Sequence, residues 1–276
     1  MGWIKWLDQF GGLNMWVDVN GVRHFVEVRG ESHESVILIH GLGGTSNIWY
    51  PLIRSLSRSY QTVSYDLRGS GRSGVGEGAY SIEGWADDLT ALMDTLGIHT
   101  AHFVAHSMGT VIAQALAVRH PARCKSLTLL GPIIEFPPAG KEGLVARAAK
   151  VREGGMEAVV DTILESALSL ATRGARPEIA AGVREILLGQ PAEGYARSCE
   201  AIAGWNALDA RQVRCPALMI AGSEDNTSPL QVTKTLSTLL SRATVRVIHQ
   251  CGHWMSLEYP GLVERYVLEF LTGLKD

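Results

Sequence analysis

The chain has 276 residues, 46% of them hydrophobic and 19% charged, with a formal net charge of −3. That is enough apolar material for a sizeable core, in one large α/β domain with an insertion or in two domains. There is no charge excess from which to build the basic face that nucleic acid requires, and no run approaches the roughly 18 consecutive apolar residues of a membrane span.

The N-terminal segment from Met1 to Asp8 lacks the apolar run and cleavage site of a secretory signal. It is slightly amphipathic but carries one Lys and one Asp rather than a basic face, so no stable membrane association is expected. Met15 to Val28 reads as a hairpin, with Val17 and Val19 alternating with polar residues before an Asn20-Gly21 turn. Short apolar runs then alternate with helical patterns. Val36–Ile39 ends at His40-Gly41, Thr62–Tyr65 at Asp66, and Ala101–Ala105 at His106-Ser107. Ser126–Leu130 ends at Gly131-Pro132, Ala217–Ala221 at Gly222, and Val245–Ile248 leads to Cys251-Gly252-His253. Between them, Ile82, Trp85, Leu89, Leu92, Met93 and Leu96 recur at helical spacing, as do Val111, Ile112, Ala115 and Leu116 after Ser107. Leu262 to Leu271 forms a closing helix of the same kind.

Strands alternating with helices imply an α/β fold, a mostly parallel central sheet covered on both faces. From Ile133 to Asp209 the alternation stops, and only helical patterns appear. Met156, Val159, Val160, Ile163, Leu164, Ala167 and Leu168 make the clearest. The expected organisation is a core of residues 1–132 and 210–276 with a helical cap of residues 133–209. The cap would lie over the carboxyl ends of the strands, where open α/β sheets bind ligands. Cys124, Cys199, Cys215 and Cys251 are far apart and include no Cys-x-x-Cys pair. Neither a zinc site nor a disulfide framework is expected, and a reducing, cytoplasmic setting is the default.

The sharpest local signal is Ala105-His106-Ser107-Met108-Gly109, between a strand and a helix. A serine on a tight strand-to-helix turn exposes its hydroxyl, and small residues two before and two after let the backbone fold back on itself. The usual pattern has Gly where Ala105 stands. The alternative for Ser107 is an ordinary helix N-cap. A serine nucleophile needs a base, an acid to orient it, and donors for the oxyanion. His253, on the loop between the last strand and the closing helix, is the candidate base. His40 reads as a structural residue of its Gly-rich turn, and His106, adjacent to Ser107, cannot easily reach its hydroxyl. Asp225, three residues past Gly222, is the candidate acid, with Glu224 its main rival and Glu135 a more distant one. Leu42 and Met108 are the candidate oxyanion donors through their backbone N–H groups. A phosphate cradle at His40–Gly44 is disfavoured, because no Gly-Lys-Ser/Thr ending follows. Ser107, Asp225 and His253 appear in the chain order that accompanies a nucleophile elbow.

On His40-Gly41-Leu42-Gly43, Asp66–Ser73, Ala105–Gly109, Gly222–Asp225 and Gly252-His253, the chain resembles the α/β-hydrolase fold family over nearly its whole length outside the insertion. The resemblance implies a Ser–Asp–His hydrolase in which Asp66–Ser73 is a structural turn network. Relatives with Asp at the nucleophile, dehalogenases and many epoxide hydrolases, are set aside by Ser107. Gly194–Ile202 is similar to the cap of 3-oxoadipate enol-lactonases, whereas Ser107-Met108-Gly109 and His253-Trp254 resemble meta-cleavage C–C hydrolases. The expected activity is hydrolysis of a carboxylic ester or lactone through an acyl-enzyme, with C–C hydrolysis by the same triad as the alternative. A binding module on the same fold is the reading from another class. Trp254 is a candidate substrate contact. A lactone bearing a carboxylate calls for a cation in the pocket, yet Ile133, Ile134 and Trp254 are apolar. Arg147, Arg152, Arg173, Arg176, Arg184 and Arg197 read individually as solvated helix-face residues. The expected partner is a small ester or lactone, with no cofactor, metal or nucleic acid; a homodimer is compatible with the sequence.

Overall fold

The structure, a computed structural model, describes residues 5–7 and 12–274. The amphipathic reading of Met1 to Asp8 lies outside the described residues, apart from the backbone of a short strand, β1 (Lys5–Leu7). β2 (Leu13–Val19) and β3 (Val22–Arg29) form the expected hairpin, with Asn20 and Gly21 both at positive φ (48° and 74°), the geometry that matches the twist of the flanking strands. The remaining strands are β4 (Ser35–Ile39), β5 (Gln61–Tyr65), β6 (Ala101–His106), β7 (Cys124–Leu130), β8 (Ala217–Gly222) and β9 (Ala243–Ile248). They join one sheet in the order β1-β2-β3-β5-β4-β6-β7-β8-β9, antiparallel from β1 to β5 and parallel from there to β9.

α1 (Tyr50–Leu56) follows β4, α2 (Ile82–Thr95) follows β5, and α3 (Met108–Arg119) follows β6. The Ser81 hydroxyl caps α2 by accepting the Gly84 amide at 3.0 Å, and Ile82, Trp85, Leu89, Leu92 and Met93 form its buried face. α4 (Pro138–Gly154), α5 (Val160–Ala167), α6 (Leu170–Ala175), α7 (Pro177–Leu188) and α8 (Ala192–Gly204) stand between β7 and β8, where no strand occurs among the described residues. α9 (Leu230–Leu239), α10 (Met255–Glu258) and α11 (Pro260–Thr272) complete the chain. α2 packs on α3 and α1 on α11, and β4, β6 and β8 are buried along their full length, as a doubly covered sheet requires. None of these helices is long and apolar enough to cross a membrane.

One helical pattern is divided. Met156, Val159, Val160, Ile163, Leu164, Ala167 and Leu168 are all buried, but α5 begins only at Val160. Gly155 at φ +68° ends α4, and a 3-10 turn over Met156–Ala158 carries the first apolar residue to the same core.

The segment from Asp66 to Ser73 is a structural turn. The fully buried Asp66 carboxylate accepts the Ser46 amide at 2.7 Å and the Arg72 amide at 3.0 Å, and pairs with the Arg72 guanidinium at 2.9 Å. Ser73 donates to the Asp66 carbonyl at 2.6 Å while accepting the Phe25 amide. His40 accepts the Leu67 amide at Nε2 and donates from Nδ1 to the Gly41 carbonyl, so its neutral ring is fully used in joining the β4 and β5 loops. Burial pushes the Asp66 carboxyl up, but the hydrogen bond and charge of Arg72 outweigh it and hold the group below its ordinary 3.8. Asp66 therefore adds stability that is complete above the unfolded value and lost as pH falls through the folded one. Asp66→Asn should cost about 3 kcal/mol in urea unfolding at pH 7. The gap between variant and native protein should shrink as the measurement moves below pH 3.8.

Candidate active site

Ser107 sits between the last residue of β6 and the first of α3 at φ 53°, ψ −121°, a conformation that L-residues rarely hold. Strain of this kind costs roughly 1–3 kcal/mol and persists only where the surroundings fix it. Here the Ser107 amide donates to Leu130 of β7 at 2.9 Å, and the chain enters α3 at once. A side chain at Gly109 would place its Cβ 2.5 Å from the Ile39 carbonyl and 2.7 Å from that of His40. Only glycine allows α3 to start this close to the end of β4. Ala105, where the usual pattern has Gly, is buried within β6, whose packing accommodates the extra methyl. The α3 N-terminus directs its amides and positive dipole end towards Ser107.

Asp225 and His253 meet across the ends of β8 and β9. His253 Nδ1 donates to Asp225 Oδ2 at 2.7 Å, with both side chains buried. The other carboxylate oxygen accepts the amides of Thr227 at 2.9 Å and Ser228 at 2.8 Å, which fixes the carboxylate plane. Gly131, at φ +56°, faces this pair; a Cβ there would lie 3.0 Å from the imidazole and 3.1 Å from Asp225 Oδ2. The rival Glu224 turns away and accepts the Leu170 amide at 2.9 Å. Glu135 is exposed and borders the same cavity as Ser107 and His253.

Ser107 and His253 border one cavity of about 560 Å³, within the usual size of a small-molecule site. Leu42 and Met108 border it as well. The Leu42 loop is a tight turn closed by the Gly44 amide on the Gly41 carbonyl at 3.0 Å. Ile133, Phe136, Leu144, Ile163 and Trp254 supply apolar wall. Trp254 is almost wholly buried and packs on His106 with ring centroids 5.7 Å apart. No three His, Cys, Asp or Glu side chains among the described residues converge as metal ligands.

Three residues were not singled out as site residues by sequence. His106 lies against His253 with ring centroids 4.7 Å apart and donates from Nε2 to the His253 carbonyl at 2.8 Å. Burial, and then the neighbouring His253, push its imidazole well below the ordinary value, so it stays neutral. The fully buried Glu258 gathers three donors on Oε2: Thr172 Oγ1 at 2.7 Å and the amides of Ser169 at 3.1 Å and Gly252 at 3.2 Å. The third is Arg147. Arg152 pairs with Glu193 and Glu200, Arg184 with Asp161, and Arg197 with Glu193, while Arg176 donates to Thr172 and the Glu258 carbonyl. Of the six arginines, Arg147 alone borders the cavity, next to the Tyr195 hydroxyl.

Comparison with known proteins gives the family. Residues 34–260 match the family model described as the alpha/beta hydrolase fold. The proposed carbamate hydrolase RutD of Caulobacter sp. (strain K31) is 32% identical over 264 residues, covering 92% of this chain and 97% of that protein. The 2-hydroxymuconate semialdehyde hydrolase of Pseudomonas putida is also 32% identical, covering 91% and 92%. The crystal structure of the enol-lactonase from Burkholderia xenovorans LB400 superposes with a TM-score of 0.87 at 31% identity, covering 93% and 99%. The chain belongs to the α/β hydrolase fold family, and lactonases are among its relatives.

The contact at Gly131 can be tested without a substrate. Gly131→Ala should cost about 1 kcal/mol for the left-handed backbone alone. It should also push the imidazole off Asp225, seen as loss of the low-field His253 Nδ1–H proton resonance. A variant that keeps that resonance unchanged would show that the pair tolerates the methyl.

Proposed function

We propose that the chain is a serine hydrolase of carboxylic esters or lactones, with Ser107 as nucleophile, His253 as base and Asp225 as its orienting acid. The observation that carries this reading is the 2.7 Å bond from His253 Nδ1 to Asp225 beside a serine held at positive φ on the same cavity. A carboxylate on Nδ1 leaves Nε2 as the basic nitrogen. Ser107 Oγ attacks the carbonyl carbon as its proton passes to His253, and the oxyanion is held by the Leu42 and Met108 amides at roughly 3–4 kcal/mol each. His253 then protonates the leaving alkoxide. A water that gives its proton to His253 cleaves the acyl-enzyme and releases the acid. In this reading residues 133–209 act as a cap that shapes the acyl and alcohol pockets and keeps bulk water out.

The cavity wall supports a largely apolar substrate with one anionic group, because Arg147 is the cation that borders it. A second reading, C–C hydrolysis of a vinylogous diketone by the same three residues, is favoured by the 32% identity to the semialdehyde hydrolase. A panel of p-nitrophenyl esters, lactones, a carbamate and a meta-ring-fission product separates the readings by kcat/KM.

Ser107→Ala should remove turnover of aryl esters and labelling by a fluorophosphonate while leaving the thermal midpoint near that of the native protein. Asp225→Asn should lower kcat by about 10⁴ through the wrong tautomer. Native-like ester turnover by purified Ser107→Ala would overturn the assignment. Arg147→Gln should raise KM about 10-fold or more for an ester carrying a free carboxylate, the worth of one charge-assisted hydrogen bond, and leave the neutral analogue unchanged.

A further inference from the structure

Two cysteines that lie 91 positions apart in the chain meet at the opposite edge of the sheet from the cavity. Cys124 is the first residue of β7, and Cys215 lies just before β8. Parallel pairing of these neighbouring strands, with Leu127 opposite Ala217, brings the two residues together. Their Sγ atoms are 3.4 Å apart, in contact, and both are free thiols. Cys124 is buried at 8% exposure, while Cys215 is partly open to solvent. The other two cysteines, Cys199 and Cys251, are both buried, and neither has a sulfur partner among the described residues.

We propose that Cys124 and Cys215 are a covalent modification site, closed to a reversible intramolecular disulfide by two-electron oxidants of the peroxide class. The reaction has an order set by exposure and hydrogen bonding. The two sulfurs share one S–H···S contact, which holds the pKa of the more open Cys215 below the ordinary value, while the same contact and burial raise that of Cys124. The Cys215 thiolate attacks a peroxide oxygen, breaks the O–O bond, takes one oxygen as a sulfenic acid and releases water after protonation. Cys124 sulfur then attacks the Cys215 sulfur, the S–O bond breaks, and a second water leaves with the Cys124 proton. Two thiols lose two electrons, and one peroxide is reduced to two waters. A dithiol reductant reverses the process by exchange.

The bond would close a loop that runs from β7 through all five insertion helices to β8. Closing so long a loop restricts the unfolded chain, so the oxidised form should unfold at a higher temperature. Six or seven residues of strand, on the order of 20 Å, separate the pair from the edge that carries Ser107 and Asp225. The modification should therefore leave ester turnover within about twofold.

The test treats the native protein with a small excess of hydrogen peroxide, then alkylates it under denaturing conditions and maps the peptides. The expected result is a monomer two hydrogens lighter, with a Cys124–Cys215 cross-linked peptide, two alkylated thiols at Cys199 and Cys251, and a thermal midpoint raised by several degrees. Dithiothreitol should restore four thiols and the original midpoint. Cys215→Ser and Cys124→Ala should each abolish the cross-link, and Cys251→Ser should keep it. Four free thiols after treatment, a sulfinic acid at Cys215 without the cross-link, or a disulfide-linked dimer would each overturn the proposal. Ser107→Ala should oxidise like the native protein, so failure of the hydrolase reading and failure of this one are separate results.

Discussion

The site depends on a backbone turn that an isolated peptide would not adopt. Ser107 stands at φ 53°, and the chain reaches that value because α3 begins against the main chain of Ile39 and His40 with no side chain at Gly109. The strain is balanced by the Ser107 amide on Leu130 and by the hydrogen-bonded start of α3. The crowding extends along the whole edge. Gly41 lies so close to the turn that a Cβ on it would fall 2.7 Å from that of Ser107, and one on Gly222 would fall 2.4 Å from the carbonyls of Cys251 and Gly252. The ends of β4, β6, β7 and β8 and the loop after β9 thus crowd together, and the buried Ser107 borders the cavity there.

The insertion takes part in this framework rather than merely covering it. The His253 amide donates to the Ala167 carbonyl at 2.7 Å, and the His253 carbonyl accepts from His106. The main chain of the proposed base is therefore held from the insertion on one side and from the β6 turn on the other. Glu258 repeats the arrangement one turn later, with one carboxylate oxygen shared between Gly252 of the core and Ser169 and Thr172 of the insertion. Glu224, next to the proposed acid, holds the Leu170 amide. The short stretch from 167 to 172 thus touches the loops of both Asp225 and His253. A displacement of the insertion there would move the hydrogen-bonded Asp225–His253 pair as well as open the cavity. This is a physical reason for a hydrolase of this fold to keep the α5–α6 junction rigid and to admit substrate elsewhere.

Much of the fold was legible because a parallel sheet buried on both faces must be written as short continuous apolar runs, and β4, β6 and β8 are such runs. Ser107, Asp225 and His253 stood out as candidates for a related reason: each lies shortly after a strand, with Gly109, Gly222 or Gly252 close by in sequence. The partners that fix them did not. Glu258 sits in a helix of four residues and resembles any acidic surface position until the fold buries it completely. Arg147 is one of six arginines in the insertion, and only three-dimensional proximity separates it from those neutralised by glutamates. The division of Met156 to Leu168 was hidden because a 3-10 turn and an α-helix can present the same apolar face. Cys124 and Cys215 are distant in sequence, and only the β7–β8 register makes them neighbours.

The two histidines at the turn divide their work by environment. His106 is completely enclosed, and a positive charge on it would face both an apolar wall and the ring of His253. It stays neutral, so one nitrogen remains a donor for the His253 carbonyl, and no charge competes with the imidazolium that forms in the proposed reaction. His253 has what His106 lacks: a carboxylate at 2.7 Å, itself held by two amides, and a border on the cavity. Proton transfer from Ser107 would place the new positive charge on the ring beside Asp225 and leave its neighbour uncharged. Exchanging the two environments would put the basic nitrogen in the core and the structural one at the substrate. Adjacency to the serine in sequence therefore does not decide which histidine is placed to act as base in the proposed reaction; the position of the carboxylate at the end of β8 does.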